Sequence, residues 1–479
     1  MALMTADEYR ERLRDGREVW YKGRRIEDVT LDPDIRVCVD TMAVDYELPE
    51  HGELRHLGVV RDPETGEEQS RYYHIPRNGD DLLLHQELIV AGTRLGDGFI
   101  PFAKDIGADV LSAIEITARR LGSQDYIDRI GAYGRYLRQN DLAVVAAVTD
   151  VKGDRMLRPS DPGQAHEDYY VHVVERRPDG IVVRGAKTHI SGAAYAHEMF
   201  VIPCRTMGEA DKDYALAFAV PCNQPGVRQI LRPFHSRISS LEFPNTRPVR
   251  VHTESLVIFD DVFVPWERVF LDGEWQASNT LVHSFALLHR RTGVAYRIPM
   301  SEQLVGVAQA IAEYNGVAKA PHVVEKLTDM VIYLETLKGL ARASCLDYTL
   351  HDGVAVPSPM LTNLAKFHFA DRYHDMVKII EDLAGGVLVT ATTYADWQRD
   401  ELRPDIEKYL GGKAGIPTEA RLRMLDLIRR LTRSELETIV LQGEGSLMAQ
   451  RMTIFFEARR ILQNAKALVE EIAQVPREA

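Results

Sequence analysis

The chain has 479 residues, 45% of them hydrophobic, and its 58 Lys plus Arg against 71 Asp plus Glu give a formal charge of −13. That length supports two or three domains, or one domain with large appended layers, and that apolar share supports a sizeable core rather than disorder. The acidic balance argues against a nucleic-acid partner, although a basic cluster such as Arg290 and Arg291 can oppose the net sign locally.

Cys38, Cys204, Cys222 and Cys345 are too widely spaced for a CxxC metal motif, and a disulfide framework is implausible at this density. Four reduced thiols in a cytoplasmic protein are expected. The first 17 residues mix Asp7, Glu8, Glu11 and Asp15 with arginines and lack the apolar stretch of a secretory signal. No stretch approaches the ~20 apolar residues of a membrane span, so no membrane partner is expected.

After a short turn-rich start, residues 1–140 read as mainly helical, with apolar side chains at helical spacing over 81–94 and 105–120. The pattern changes near Asp141. Runs 169–175 and 181–187 are β-rich and flank Arg177, Pro178, Asp179 and Gly180, a turn suited to the fixed φ of Pro and the freedom of Gly. Runs 199–203, 215–221 and 255–264 continue it, so a β-domain is expected over 141–272. From Ser278 the chain turns helical again. Val323, Leu327, Met330, Leu334, Leu337, Ala341 and Cys345 follow alternating steps of four and three, one apolar seam buried either within the subunit or between subunits. Further long helices are expected over 360–383, 418–441 and 447–473, completing a helical bundle over 273–479. The dinucleotide fingerprint GxGxxG and the P-loop are absent, which excludes only the common phosphate-binding solutions.

Three segments in fixed order, 148–155 (VTDVKGDR), 185–192 (GAKTHISG) and 259–266 (FDDVFVPW), resemble the 4-hydroxyphenylacetate 3-hydroxylase family of flavoproteins. The resemblance spans nearly the whole chain. Residues 4–9 and 15–23 look like the reduced-flavin hydroxylases of that family. Residues 185–198, 210–215 and 381–386 look closer to its 4-hydroxybutyryl-CoA dehydratase branch. It implies an α+β fold of the acyl-CoA dehydrogenase type, bound FAD or FADH2, and a homotetramer.

Carried over, Ala146, Ala147 and Val148 with Lys152, Gly153, Asp154 and Arg155 line the flavin ring and ribityl region. The cations among them would favour an anionic reduced flavin. Ser191 stands where the family has a Thr hydroxyl close to the ring. Gln442, Gly443, Glu444, Gly445 and Ser446 match a C-terminal flavin-contacting loop. The pair Gly385 and Gly386 matches one that nears the adenine half of FAD across a subunit boundary, and it equally suits a helix C-cap. For Arg155 the plainer alternative is a salt bridge with Asp154 or another carboxylate; for Ser191 it is β-edge hydrogen bonding.

The resemblance also marks what is missing. The dehydratase holds a [4Fe–4S] cluster on three Cys and one His; here Gly98, Phe102 and Tyr296 stand at the Cys positions and His289 at the His, so no cluster is expected. Its Lys near the cluster is Arg297 here and a catalytic Glu aligns with Ile439, while Glu254 is retained. The hydroxylases hold the substrate phenol with an Arg, a Tyr and a His; here Gly98, Phe102 and Ala146 imply a wide apolar pocket, with Arg290 beside it.

The remaining chemistry lies in 283–297. His289 can act as a general base, Tyr296 can hold or protonate an oxygen, and Arg290, Arg291 and Arg297 can receive a carboxylate or phosphate. Glu254 joins them as a catalytic residue. The structural alternatives are a core hydrogen bond for His289 and a surface acid for Arg291. His189 faces either the flavin or the opposite β-face. His368, Asp371 and Asp375 share a helical face, but such faces are usually solvated or paired, and no metal is expected. The function the resemblance implies is that of an FAD-dependent oxidoreductase, the oxygenase component of a two-component reduced-flavin monooxygenase. A separate reductase would supply FADH2, and the small-molecule substrate would be aromatic or carrier-linked. The alternatives are a cluster-free FAD-dependent dehydratase or isomerase of a CoA thioester, and a flavin-binding protein with lost or regulatory activity.

Overall fold

The computed structural model describes residues 3–62, 65–233, 242–244, 250–432 and 441–475. Helices α1 (Gly79–Leu95), α2 (Asp105–Leu121) and α3 (Gln124–Asn140) lead into the β-layers. Their ends are written in the sequence. Asn78 accepts the Asp81 N–H at the head of α1, Ser123 does the same for Tyr126 in α3, and Gly122 ends α2 at φ 66°.

Among the described residues, ten strands build the two larger sheets: β1 (Glu18–Tyr21), β2 (Arg24–Ile26), β3 (Val144–Ala147), β4 (His172–Arg177), β5 (Gly180–Ser191), β6 (Glu198–Val201), β7 (Leu216–Pro221), β8 (Val227–Pro233), β9 (Thr253–Pro265) and β10 (Val269–Asp272). The six-stranded sheet runs β2-β1-β8-β9-β5-β4 and the four-stranded sheet β10-β7-β6-β3. The β1–β8 and β3–β6 pairs are parallel and the others antiparallel. The turn-rich start thus contains two strands, in which buried Val19 and Tyr21 alternate with half-exposed neighbours, and it completes a sheet built mainly from the middle of the chain. One apolar core fills the space between the sheets and reaches α2 and α3 through residues such as Val110, Ile114, Ile130 and Leu137.

The C-terminal part opens with α4 (Ala277–Tyr314), 38 residues long, followed by α5 (Pro321–Leu346), α6 (Pro359–Ala384), α7 (Thr418–Thr432), α8 (Leu447–Glu457) and α9 (Arg459–Ile472). The seam on α5 is buried within the chain, where Met330, Leu337 and Ala341 join Ile298, Phe369, Met376 and Leu425 in a second core. The expected helix over 447–473 is two helices meeting at Ala458. The expected helix over 418–441 is α7 up to Thr432; residues 433–440 lie outside the described residues. Among the described residues no helix is long and apolar enough to cross a membrane.

Candidate functional site

The middle of α4 carries the polar groups of the helical half. Residues 291–299 are all buried there, so each polar atom needs a partner. Tyr296 donates its hydroxyl to Glu444 Oε1 at 2.7 Å. Arg297 Nη1 lies 2.5 Å from Glu444 Oε2 and donates to the Gly293 carbonyl at 2.6 Å. The guanidinium also lies over the Tyr296 and Phe369 rings, 4.6 and 5.1 Å from their centroids. Glu444 sits in a turn at φ 57°, and a Cβ at Gly293 would stand 2.6 Å from its carboxylate, so glycine at 293 admits the acid. Burial pushes the Glu444 carboxyl up, but Arg297 first, then His289 and Lys366, outweigh that and hold it below its ordinary range. Burial and the Arg297 charge push the buried Lys366 ammonium down to about 7.

Arg290 donates to the Glu444 carbonyl at 3.2 Å and to Asn363 Oδ1 at 3.1 Å, both neutral acceptors. His289 stacks on Phe285 at 5.1 Å, with Nδ1 3.7 Å from Asp109 Oδ2. Arg291 turns inward. It is 1% exposed and reaches Asp109 at 3.4 Å and the Leu82 carbonyl at 3.3 Å. Its partner is therefore a buried acid and not the expected surface one, because one residue along a helix rotates the side chain by ~100°.

The β half presents a second group. Ser191 on β5 faces Glu254 on β9 in register, and its hydroxyl donates to Glu254 Oε1 at 2.8 Å. Burial raises the Glu254 carboxyl to about 7, the Ser191 hydrogen bond offsetting only part of it. Glu254 Oε2 is buried without a hydrogen-bond partner. Next to this pair, β3 delivers Ala146, Ala147 and Val148 into the loop 148–155. A buried ion pair anchors that loop: Lys187 Nζ lies 2.8 Å from Asp150 Oδ1 and donates to the Val148 and Ile202 carbonyls at 2.9 Å. Lys152 (φ 77°) and Gly153 (φ 54°) make the turn, and a Cβ on Gly153 would stand 2.2 Å from the Tyr169 ring. Gln164 clips the carbonyls of Lys152 and Asp154, while Asp154 accepts the Met156 N–H at 2.9 Å. His189 lies at φ 60°; partial desolvation, then the charges of Lys152 and Arg155, lower its pKa, so the two cations act on one neutral imidazole.

The remaining sites read from the sequence fall as follows. Gly385 caps α6 at φ 70°, its N–H donating to the Glu381 carbonyl at 2.9 Å, so the C-cap reading holds. A Cβ on Gly385 or Gly386 would meet nothing within 4 Å, which leaves the pair open to approach. Gly445 donates its N–H to the Gln442 carbonyl at 3.1 Å, and Ser446 caps α8. Gly98 does not widen a pocket: a Cβ there would meet the Gln303 carboxamide at 2.4 Å, and that side chain fills the space. Phe102, at φ 62°, packs on His252 at 4.9 Å and edge-on to Tyr296 at 6.0 Å. Ala146 lines the same core as Phe102. His252 gave no sequence signal. It contacts the Ile100 carbonyl through Nε2 and the Tyr195 hydroxyl through Nδ1 at 3.2 Å, and burial pulls it down to about 4, so it is neutral. Gly98, Phe102 and Tyr296 offer no thiolate. Ile439 lies outside the described residues; the acid beside Tyr296 and Arg297 is Glu444. His368 turns to the Tyr333 carbonyl at 2.9 Å, Asp371 lies 4.0 Å from Arg451 and Asp375 3.9 Å from Arg372, so that trio does not converge.

Residues 5–271 match the model of the 4-hydroxyphenylacetate 3-hydroxylase N-terminal region, and residues 278–474 match that of its C-terminal region. The chain belongs to the 4-hydroxyphenylacetate 3-hydroxylase family. Within that family it is 32% identical to the 4-hydroxybutyryl-CoA dehydratase/vinylacetyl-CoA-Δ-isomerase of Clostridium aminobutyricum, over 97% of this chain and 98% of that one. It is 29% identical to the oxygenase component of 4-hydroxyphenylacetate 3-monooxygenase from Thermus thermophilus, over 98% of both. Among solved structures, an oxygen-tolerant archaeal 4-hydroxybutyryl-CoA dehydratase from N. maritimus superimposes with a TM-score of 0.91 at 28% identity, covering 100% of this chain and 96% of that one. A 4-hydroxyphenylacetate 3-monooxygenase oxygenase component complexed with FAD gives 0.88 at 27%, covering 98% and 99%. Close superposition on both branches supports the acyl-CoA dehydrogenase-like fold expected from the sequence.

Proposed function

We propose that the chain binds FAD and works on reduced flavin as the oxygenase component of a two-component monooxygenase. The observation that carries this is the positive field of Lys152 and Arg155, strong enough at His189 to favour its neutral form, beside Ser191 and Glu254. A basic field of that kind favours the anionic form of a reduced flavin, which a component fed by a separate reductase must receive. The residues fit the group. Ala146, Ala147 and Val148 supply an apolar wall, Gly153 a backbone turn without a Cβ, and Glu254 an unpartnered buried oxygen. Gln442, Gly443, Gly445, Ser446 and the open Gly385–Gly386 pair are the proposed contacts of the loop and adenine ends, and Asp154 shapes the ribityl turn.

When bound, FAD supplies the electrons that activate oxygen. The chain positions and protects. Ser191 orients Glu254, whose carboxyl passes between acid and base near neutral pH. Glu444 fixes Tyr296 and Arg297 opposite Phe102, on a wall that excludes water. Oxygen uptake by FAD-loaded protein given a flavin reductase and NADH, in step with a hydroxylated aromatic product, tests the reading. Uptake that yields only peroxide with every aromatic or carrier-linked acid tried defeats it.

A second reading, a cluster-free dehydratase or isomerase of a CoA thioester, draws support from the acid–base set Glu254, His289, Tyr296 and Arg297, with Arg290 able to receive the acyl group. It requires an acyl-CoA to perturb the bound flavin spectrum, and titration without change removes it. We further propose a homotetramer, supported by exposed Phe455, Phe456, Ile461, Leu468 and Ile472 on α8 and α9, and a cytoplasmic location, supported by four free cysteines. The segments 1–140, 141–272 and 273–479 are the proposed structural divisions, β1 and β2 of the first completing a sheet of the second.

A further inference from the structure

Away from this site, Glu167, Asp168 and His172 each offer a ligand atom, and the three atoms lie within 4.8 Å of one another. Acidic groups alone carry little weight at a surface; the histidine decides. His172 is 7% exposed, and its Nδ1 lies 3.1 Å from the Tyr170 carbonyl oxygen. A carbonyl only accepts, so Nδ1 carries a proton, and Nε2 is the ring nitrogen left to act as a ligand. Nε2 lies 3.8 Å from Asp168 Oδ1, too far for a hydrogen bond, and this oxygen is itself buried without a hydrogen-bond partner. Two acceptors brought this close need a proton or a metal ion between them, and a ring nitrogen with two acidic side chains around it is a ligand set for the latter. Two atoms each ~2.1 Å from a zinc ion are at most ~4.2 Å apart, so the 3.8 Å gap admits an ion, and small side-chain rotations that close the set complete its coordination. A backbone carbonyl on the far ring nitrogen is also how metal-ligating histidines are oriented. Arg184, which pairs with His172 in register and feels the Asp168 charge, gives its hydrogen bond to Asp261 at 2.9 Å instead.

We propose that Glu167, Asp168 and His172 bind one divalent transition-metal ion, zinc by ligand chemistry, and that the ion braces the loop 148–155. Imidazole with carboxylates suits zinc better than magnesium or calcium, and three protein ligands leave a position for water. The brace follows from what lies between the ligands. The Tyr169 carbonyl accepts the Lys152 N–H at 3.2 Å, the Tyr169 ring fills the space a Gly153 Cβ would take, and Val171 donates to Asp150 at 3.1 Å. Fixing 167, 168 and 172 fixes all three anchors. The expectation of no metal rested on the cysteine spacing, the absent cluster ligands and the 368–375 face; ligands on a turn leading into a strand have no helical spacing to reveal them.

The test is calorimetric titration of ZnCl2 into full-length protein stripped with a chelator. One site per chain is expected, weakened at least tenfold in His172→Gln and in Asp168→Asn. Zinc X-ray absorption should show nitrogen and oxygen neighbours only. Circular dichroism of the metal-free variants, matching wild type, separates loss of the site from loss of fold. Equal binding by wild type and His172→Gln, or sulfur neighbours from the half-exposed Cys204, would mean adventitious metal only and overturn the proposal. FAD loading measured on the same samples keeps this outcome separate from the flavin reading.

Discussion

The helical and β halves of the site treat buried charge in opposite ways. Around Glu444, one carboxylate is shared by Arg297 and Tyr296 and held ionised. Around Ser191 the work is divided. Asp150 and Lys187 close on each other as an anchor, while Glu254 is left with one hydrogen bond, an unpartnered oxygen and a carboxyl near 7. Where an acid has a buried cation it serves as architecture. Where it has only a hydroxyl it can exchange a proton at working pH, and that is where chemistry is available.

The largest effect should come from breaking the anchors. Lys187→Met and Arg297→Met each strand a buried carboxylate and should cost about 3–5 kcal/mol in denaturant unfolding. Replacing both partners with apolar residues, as in Lys187→Met with Asp150→Leu, should recover most of that loss. Lys187→Met should also release FAD, whereas Arg297→Met should retain it. The comparison breaks if neither variant loses more than ~1 kcal/mol, the range of a surface pair.

Next in size is the pH dependence of Glu254. Its folded pKa of about 7 lies above the ordinary 4.5, so the folded chain binds more protons across that window. Its contribution is complete below 4.5 and is lost as pH rises through 7, about 3 kcal/mol in all. Glu254→Gln should flatten the stability curve over that range. Lys366, lowered from 10.5 to about 7, acts with the opposite sign: its contribution is complete above 10.5 and is lost as pH falls through 7. The two windows meet near neutrality, and unfolding followed from pH 4 to 11 separates them.

A smaller effect probes the helical half by shape. Gly293→Ala puts a Cβ 2.6 Å from the Glu444 carboxylate. Overpacking of this kind costs about 1–3 kcal/mol, and the Tyr296 hydrogen bond should go with it. Thermal melts compared with those of Gly339→Ala on α5, where a Cβ meets nothing within 4 Å, isolate the clash from helix propensity.

The two halves were also unequally legible. Ser191 and the 148–155 loop stand in segments whose residue order alone brings out the resemblance, and β9 places Glu254 in register with Ser191 on β5. Glu444 was readable only as part of a glycine-rich loop, because it is 148 residues from Tyr296 and no local spacing links them. The α5 seam announced a buried face, but not whether the chain itself covers it. Lys187 was missed although a charged residue inside the run 181–190 of mostly buried positions is a signal for a buried partner. Gly98 misled for a related reason: an absent side chain suggests space, and only Gln303 reveals that the space is taken.

The smallest prediction separates the halves most cleanly, because the same bond is removed from each. Ser191→Ala deletes one hydroxyl donor to Glu254, and Tyr296→Phe deletes one to Glu444. Each should cost about 1 kcal/mol. Their effects on titration should differ. The Ser191 bond is the only cause that lowers Glu254 against its burial, so its removal should carry the Glu254 loss of stability to higher pH. Glu444 has Arg297 at 2.5 Å, its first lowering influence and ahead of the phenol, so Tyr296→Phe should leave the pH profile in place. A profile displaced equally by both variants would show that the cation on the helical side does not govern its acid, and the contrast between the halves would fail.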